Sequence, residues 1–244
     1  MRHENFIQVL MDTIDNLTDH PIRNITYGAH IVAVESRKTG LATWAWNRHP
    51  VPMEALPDPG KQYSGKELAR LITDDSPLKA SLGMAALGSI LPDIPPAHLT
   101  DLNAGDLILE LGKNKTVAVI GHFPFVEKMK EKFNELMVFE KTPQAGDLEE
   151  NRIPEKLPSA DLVAITATAI SNKSLGNILA HCAGTAVKLL VGPSTPLCTS
   201  MFELGFDYIA GTVVEDADLL RQGIVNGYAF KQVRGIKHVI LKSG

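Results

Sequence analysis

The stretch TVAVIGHFPFVEKM, residues 116–129, carries the most information about the architecture of this chain. Five residues of strand-forming type run into Gly121, and an amphipathic segment comes after it. A strand that turns at a glycine into a helix is the opening unit of a doubly wound α/β sheet. The turn itself is unusual. Phe123 and Pro124 stand where a dinucleotide-binding loop carries glycine, so the turn is bulky and short of one N–H donor.

Beyond this turn, the C-terminal part of the chain alternates strand and helix. The pattern predicts strands at 116–120, 136–140, 161–166, 187–191, 207–210 and 237–242, with helices at 124–135, 173–183, 197–204 and 215–224. VAVI, LVAI and VKLLV are unbroken apolar runs, the signature of parallel strands covered on both faces. Residues 141–159 are charged, contain three prolines, and read as a surface excursion.

The first hundred residues have another rhythm. Phe6, Ile7, Leu10, Ile14 and Leu17 keep a helical period. NITYGAHIVAVES (24–36) and GLATWAW (40–46) read as strands joined by a hairpin at Arg37–Gly40, with Trp44 and Trp46 on one strand face and His30 on the sheet. Ser64 and Glu67 form a capping box for a helix from Gly65. Ser76-Pro77 opens a second helix that stacks Leu78, Leu82, Ala86 and Ile90, with Gly83 and Gly88 as close-packing positions. The expected fold class is therefore α/β: a smaller α+β domain over residues 1–100, then a Rossmann-like, mainly parallel sheet over 101–244.

Composition narrows the function. The 244 residues are 44% hydrophobic and 21% charged, ordinary for a chain with a buried core. A net charge of -4 with scattered basic residues gives no nucleic-acid footprint, and no apolar run is long enough for a membrane span. The N-terminus reads as an amphipathic helix rather than a signal peptide, and two cysteines cannot form a disulfide framework; a reducing cytoplasm is expected.

In an open α/β sheet, ligands bind beyond the carboxyl ends of the strands. Those ends offer Gly121, His122, Phe123 and Pro124; Glu140; Thr166, Thr168, Ser171 and Asn172; Gly192, Pro193, Ser194 and Thr195; and Gly211. Their convergence predicts a small-molecule site. His122 and Glu140 are the proton-transfer candidates, and Ser194 and Thr195 would hold an anionic part of the ligand. Each also has a structural reading: Ser194 or Thr195 as a helix cap, Asn172 and Ser171 as turn formers, and His122 and Glu140 as solvated loop groups. With no G-x-G-x-x-G and no P-loop, NAD or ATP in the standard mode is not expected. A metal site would draw on His122 and Cys198, with Glu140, although no C-x-x-C or H-x-x-x-H occurs. Adjacent on a helix, His181 and Cys182 diverge too far to chelate together.

GHFPFVEKM (121–129), the Thr-rich strand end with its SN pair, VGPSTPLCTSMFELGFDYIAG (191–211) and SPLKASLGMAALGSIL (76–91) together resemble the putative heavy-metal chelation family. The resemblance covers nearly the whole chain. It implies an enolase-like N-terminal domain, a Rossmann-like C-terminal domain and a site in the cleft between them; the cofactor is left open, a metal ion being one candidate. The expected function is a small-molecule or metal-handling protein. The alternatives are an enzyme acting on a nucleoside-like or other small anionic metabolite, and a non-catalytic ligand-binding module. A homodimer is expected from the frequency of two-fold assemblies.

Overall fold

A computed structural model describes residues 6–46, 51–95, 99–100, 103–123, 125 and 128–243 of the chain. Its centre is an eight-stranded sheet. The strands are β4 (Leu99–Thr100), β5 (Thr116–Ile120), β6 (Glu135–Glu140), β7 (Leu148–Glu149), β8 (Leu162–Thr166), β9 (Val187–Val191), β10 (Tyr208–Val214) and β11 (Ile236–Lys242). They lie in the order β4-β11-β10-β9-β8-β5-β6-β7. β5 to β10 run parallel to one another, while β11 is antiparallel to both β10 and β4. Val117, Ala118 and Val119 of β5 and Leu162 to Ile165 of β8 are fully buried, as unbroken apolar strands covered on both faces must be.

A second sheet, of β1 (Asn24–Tyr27), β2 (Ile31–Glu35) and β3 (Thr39–Thr43), is an antiparallel meander. The run 24–36 is thus two strands, not one, with His30 in the turn between them. β3 stops at Thr43, so Trp44, Ala45 and Trp46 continue from it as irregular chain. α1 (Phe6–Asn16), α2 (Gly65–Ala69) and α3 (Pro77–Ile90) complete this part. The Ser64 and Glu67 capping box is formed in full. Ser76 makes no side-chain cap, and Pro77 alone sets the first turn of α3. α3 is covered all round rather than along one stripe: Ser81, Ala85 and Ser89 are as buried as Leu82. Gly83 is where this helix meets the segment 69–72, for a Cβ there would stand 2.5 Å from the Ile72 nitrogen.

Helices over the large sheet are α4 (Ala104–Gly112), which the apolar pattern did not reveal, α5 (Ile153–Lys156), α6 (Thr168–Ser171), α7 (Leu175–His181) and α8 (Ala217–Val225). Three expectations for this part of the chain need correction. Residues 130–132 and 199–204 are 3-10 turns where α-helices were expected. The excursion 141–159 contributes the edge strand β7 and buries Ile153 and Leu157 completely. The fifth strand runs on to Val214, so Gly211 lies inside it and not at its exit.

One apolar core joins both parts of the chain: Leu10, Ile14, Val32 and Leu82 share it with Phe139, Ile165, Met201 and Leu241. Polar links reinforce the contact. Arg221 of α8 donates to Glu35 of β2 at 2.7 Å, and the Lys173 ammonium donates to the Ile72 carbonyl.

Candidate functional site

Strand register builds the site. Ile120 pairs with Phe139 on one side and with Ile165 on the other. The next residues, Glu140, Gly121 and Thr166, therefore leave three adjacent strands at one level. With β5 first, the order from β7 to β10 is 3-2-1-4-5-6, and the boundary between β5 and β8 is the point where the winding reverses. Gly121 adopts φ +100, which permits the tight exit; a Cβ there would press on Thr166 at 3.0 Å.

At this point lies a cavity of about 690 Å³. Gly121, His122 and Phe123 line it from β5, Glu140 and Lys141 from β6, and Thr166, Thr168, Asn172 and Ser174 from the end of β8 and the segment 168–174. Trp44, Ala45, Trp46 and Pro77 close it from the N-terminal part, and Glu150 from the segment after β7. The tail beyond β3 is tied down there: the Ala45 N–H donates to the Ser81 hydroxyl at 3.0 Å, and the Trp44 indole donates to the Gly28 carbonyl at 2.8 Å.

Several polar groups around the cavity are already engaged. The Thr166 and Thr168 hydroxyls share a hydrogen bond of 2.9 Å. Asn172 accepts from both the N–H and the hydroxyl of Ser174 through Oδ1. Glu140 Oε2 accepts from its neighbour's N–H, and Lys141 lies 3.9 Å from Glu150. Two nitrogens are not engaged. The Trp46 Nε1 and the His122 Nδ1 are both covered and have no hydrogen-bond partner among the described residues. Behind His122 stands Asp147, 3.6 Å away with its side chain 2% exposed. That distance is too long for a hydrogen bond.

Other expected site residues lie elsewhere. Ser194 is 3% exposed and spends its hydroxyl as acceptor for the Thr43 N–H at 3.0 Å. Thr195 donates to the Ala210 carbonyl at 2.9 Å. Gly192 and Pro193 do not line the cavity, because the β9 exit folds against Ala167 and β10 instead. Gly211 leaves room for Leu197, which a Cβ would meet at 2.8 Å. Ser171 is 1% exposed and sits outside the lining, its hydroxyl unpartnered. Pro124 lies outside the described residues.

Cys198 belongs to a different cavity of about 490 Å³, between α1, residues 91–95 and the 3-10 turn at 199–204. Its thiol meets the Ser200 hydroxyl at 3.2 Å, and burial holds it protonated beyond the usual thiol range. Cys182 bonds back to the Ile178 carbonyl, and burial pushes its thiol up to about 11. His181 likewise turns back to the Asn177 carbonyl. Among the described residues no three His, Cys, Asp or Glu side chains are grouped to hold a metal ion.

Sequence reasoning missed Trp46, Lys141, Glu150 and Asp147 as site residues. Trp46 was visible only as a strand-face aromatic, and Lys141, Asp147 and Glu150 sit in the segment read as an excursion.

Among known proteins, the family described as "Putative heavy-metal chelation" matches residues 103–241, and a second family with the same description matches residues 10–91. An uncharacterized protein from Methanocaldococcus jannaschii is 29% identical over 148 residues, 58% of this chain and 57% of that protein. The match thus spans little more than half of that relative's length. Two crystal structures of proteins with unknown function from the DUF364 family have this fold. The one from Desulfitobacterium hafniense has a TM-score of 0.82 at 24% identity, covering 98% of this chain and 100% of that one. The one from Pyrococcus horikoshii has a TM-score of 0.79 at 19% identity, covering 100% of both. No helix among the described residues is long and apolar enough to cross a membrane.

Proposed function

The chain belongs to this heavy-metal chelation family, and from that premise we propose that it holds a small organic molecule in the cleft between its two parts. The observation that carries this reading is the pair of orphaned nitrogens. Trp46 Nε1 comes from the N-terminal part and His122 Nδ1 from the C-terminal part, and both residues line one cavity. A buried polar group without a partner costs about 1–3 kcal/mol. A ligand offering an acceptor to the indole N–H removes that cost. Trp44, Phe123 and Phe139 supply the apolar walls usual in such sites.

Direct chelation of a soft metal by the protein fits the donor set poorly. Such ions favour thiolate and imidazole. The cleft offers one imidazole with the carboxylates of Glu140 and Glu150, and the Cys198 thiol lies in the other cavity. An enzymatic role for the same site would use His122 for proton transfer, with Asp147 3.6 Å behind the imidazole.

Native mass spectrometry of the purified protein tests the reading. An organic adduct is expected, and Trp46→Phe and His122→Ala should each reduce its occupancy. Stoichiometric zinc, nickel or cobalt in place of an organic adduct, lost on His122→Ala, overturns it.

A further inference from the structure

We infer that the cleft ligand is an uncharged or cationic nucleoside, bound through its ribose diol by Glu140 and carrying no phosphate. This rests on the reading of the cleft as an organic-ligand site. Three observations converge on it.

The first is position. Glu140 ends the strand next to β5, nineteen residues after Gly121 and level with it in the sheet. In a doubly wound sheet, an acid there faces the sugar of a ligand lying across the first strand's exit. A carboxylate accepts from two vicinal hydroxyls at once, since its two oxygens are acceptors only. In this chain Oε2 is steadied by the Lys141 N–H at 3.0 Å, which fixes the orientation of the group.

The second is charge. The ionic side chains among the described lining residues are Glu140, Glu150 and Lys141, and Lys141 is drawn to Glu150 at 3.9 Å. The carboxylates of this lining therefore outnumber its lysine. A phosphate needs N–H donors or an unpaired cation. Ser194 and Thr195, which could have served an anion, are turned into the fold. The helices after the β8 exit, α6 and α7, have four and seven residues, and neither offers an anion site.

The third is the aromatic lining. Trp46 and Phe123 border the cavity from the two parts of the chain, and the Trp46 N–H lacks an acceptor. A nucleobase presents a flat π-face together with ring-nitrogen or carbonyl acceptors, so one group answers both needs. Phe123 lines the β5 exit where a pyrophosphate-binding turn carries glycine.

The test is calorimetric titration of the whole chain with the four common ribonucleosides, their 2′-deoxy forms and their 5′-monophosphates. At least one ribonucleoside should bind, with its deoxy form and its monophosphate each about tenfold weaker. Glu140→Gln should remove the ribose-over-deoxyribose preference while leaving the melting temperature unchanged. Equal affinity for ribose and deoxyribose, or a monophosphate that binds as tightly as its nucleoside, overturns the inference. If no nucleoside binds but native mass spectrometry shows an organic adduct, the nucleoside assignment fails and the cleft reading stands. If neither is found, both fail.

Discussion

His122 Nδ1 faces Asp147 Oδ2 at 3.6 Å, and the Asp147 side chain is 2% exposed. The same carboxylate oxygen accepts the Gln144 N–H at 2.9 Å, so Asp147 pins its own turn while standing behind the imidazole. Asp147→Asn keeps an acceptor for Gln144 and removes the charge. The expected outcome is a melting temperature close to wild type with cleft occupancy reduced about tenfold, the equivalent of 1.4 kcal/mol. Thermal melting and native mass spectrometry read the two effects separately, and an unchanged occupancy would remove Asp147 from the site.

Ser194 is a structural residue by its bonding. Ser194→Ala leaves the Thr43 N–H without its acceptor. A loss of about 1–3 kcal/mol is expected in urea unfolding, with no change in the retained adduct. Loss of adduct at unchanged stability would return Ser194 to the ligand.

Gly83 has no room for a methyl group. In Gly83→Ala the new carbon would stand 2.5 Å from the Ile72 nitrogen, which is backbone and cannot swing away. The helix-propensity gain of alanine, about 1 kcal/mol, is outweighed by a packing strain of about 1–3 kcal/mol or more. Chemical denaturation should show a net loss; a net gain would mean that α3 can shift.

The Glu35–Arg221 bond makes stability depend on pH. Burial alone would raise the Glu35 carboxyl, but hydrogen bonds from Arg221 and Asn24 outweigh it and hold the group below the usual carboxylate range. A lowered acid stabilises the fold above its unfolded value, about 4.3, and that contribution fades as pH falls through the lower folded value. Melting temperatures measured from about pH 6 down to about pH 3 should fall less steeply for Glu35→Gln than for wild type. Parallel curves would show that the bond adds nothing.

Both thiols should be unreactive in the folded chain. With Cys182 pushed up to about 11 and Cys198 also raised by burial, almost no thiolate exists at neutral pH. Iodoacetamide at about pH 7.5 should label both cysteines only after unfolding. Rapid labelling of Cys198 in the native protein would reopen its cavity as a reactive site.

Much of this architecture is carried by local pattern. The apolar runs of β5, β8 and β9 mark a parallel sheet because only strands covered on both faces can dispense with alternation. The Ser64–Glu67 box and Pro77 mark helix starts because their hydrogen bonding and φ are set within a few residues. Gly121, His122, Phe123, Glu140, Thr166, Thr168 and Asn172 were legible as cleft residues for a related reason: strand ends in a doubly wound sheet share one edge. Where several structures suit one local pattern, the sequence misled. Residues 199–204 are apolar enough for an α-helix but close as a 3-10 turn, and Gly211 looks like a strand exit yet sits mid-strand so that Leu197 can pack on it.

The class of fold and the identity of the central strands were written in the chain, since these depend on periodicity, glycine placement and residue order. Which polar groups are spent and which are free was settled only by packing in three dimensions. Ser194 and Asn172 look alike along the chain, but one hydroxyl is consumed by Thr43, 151 residues away, and the other side chain borders the cleft. Trp46 lines the cleft and Asp147 stands behind His122 although neither is near His122 in sequence order, and no local pattern records a hydrogen bond left unmade.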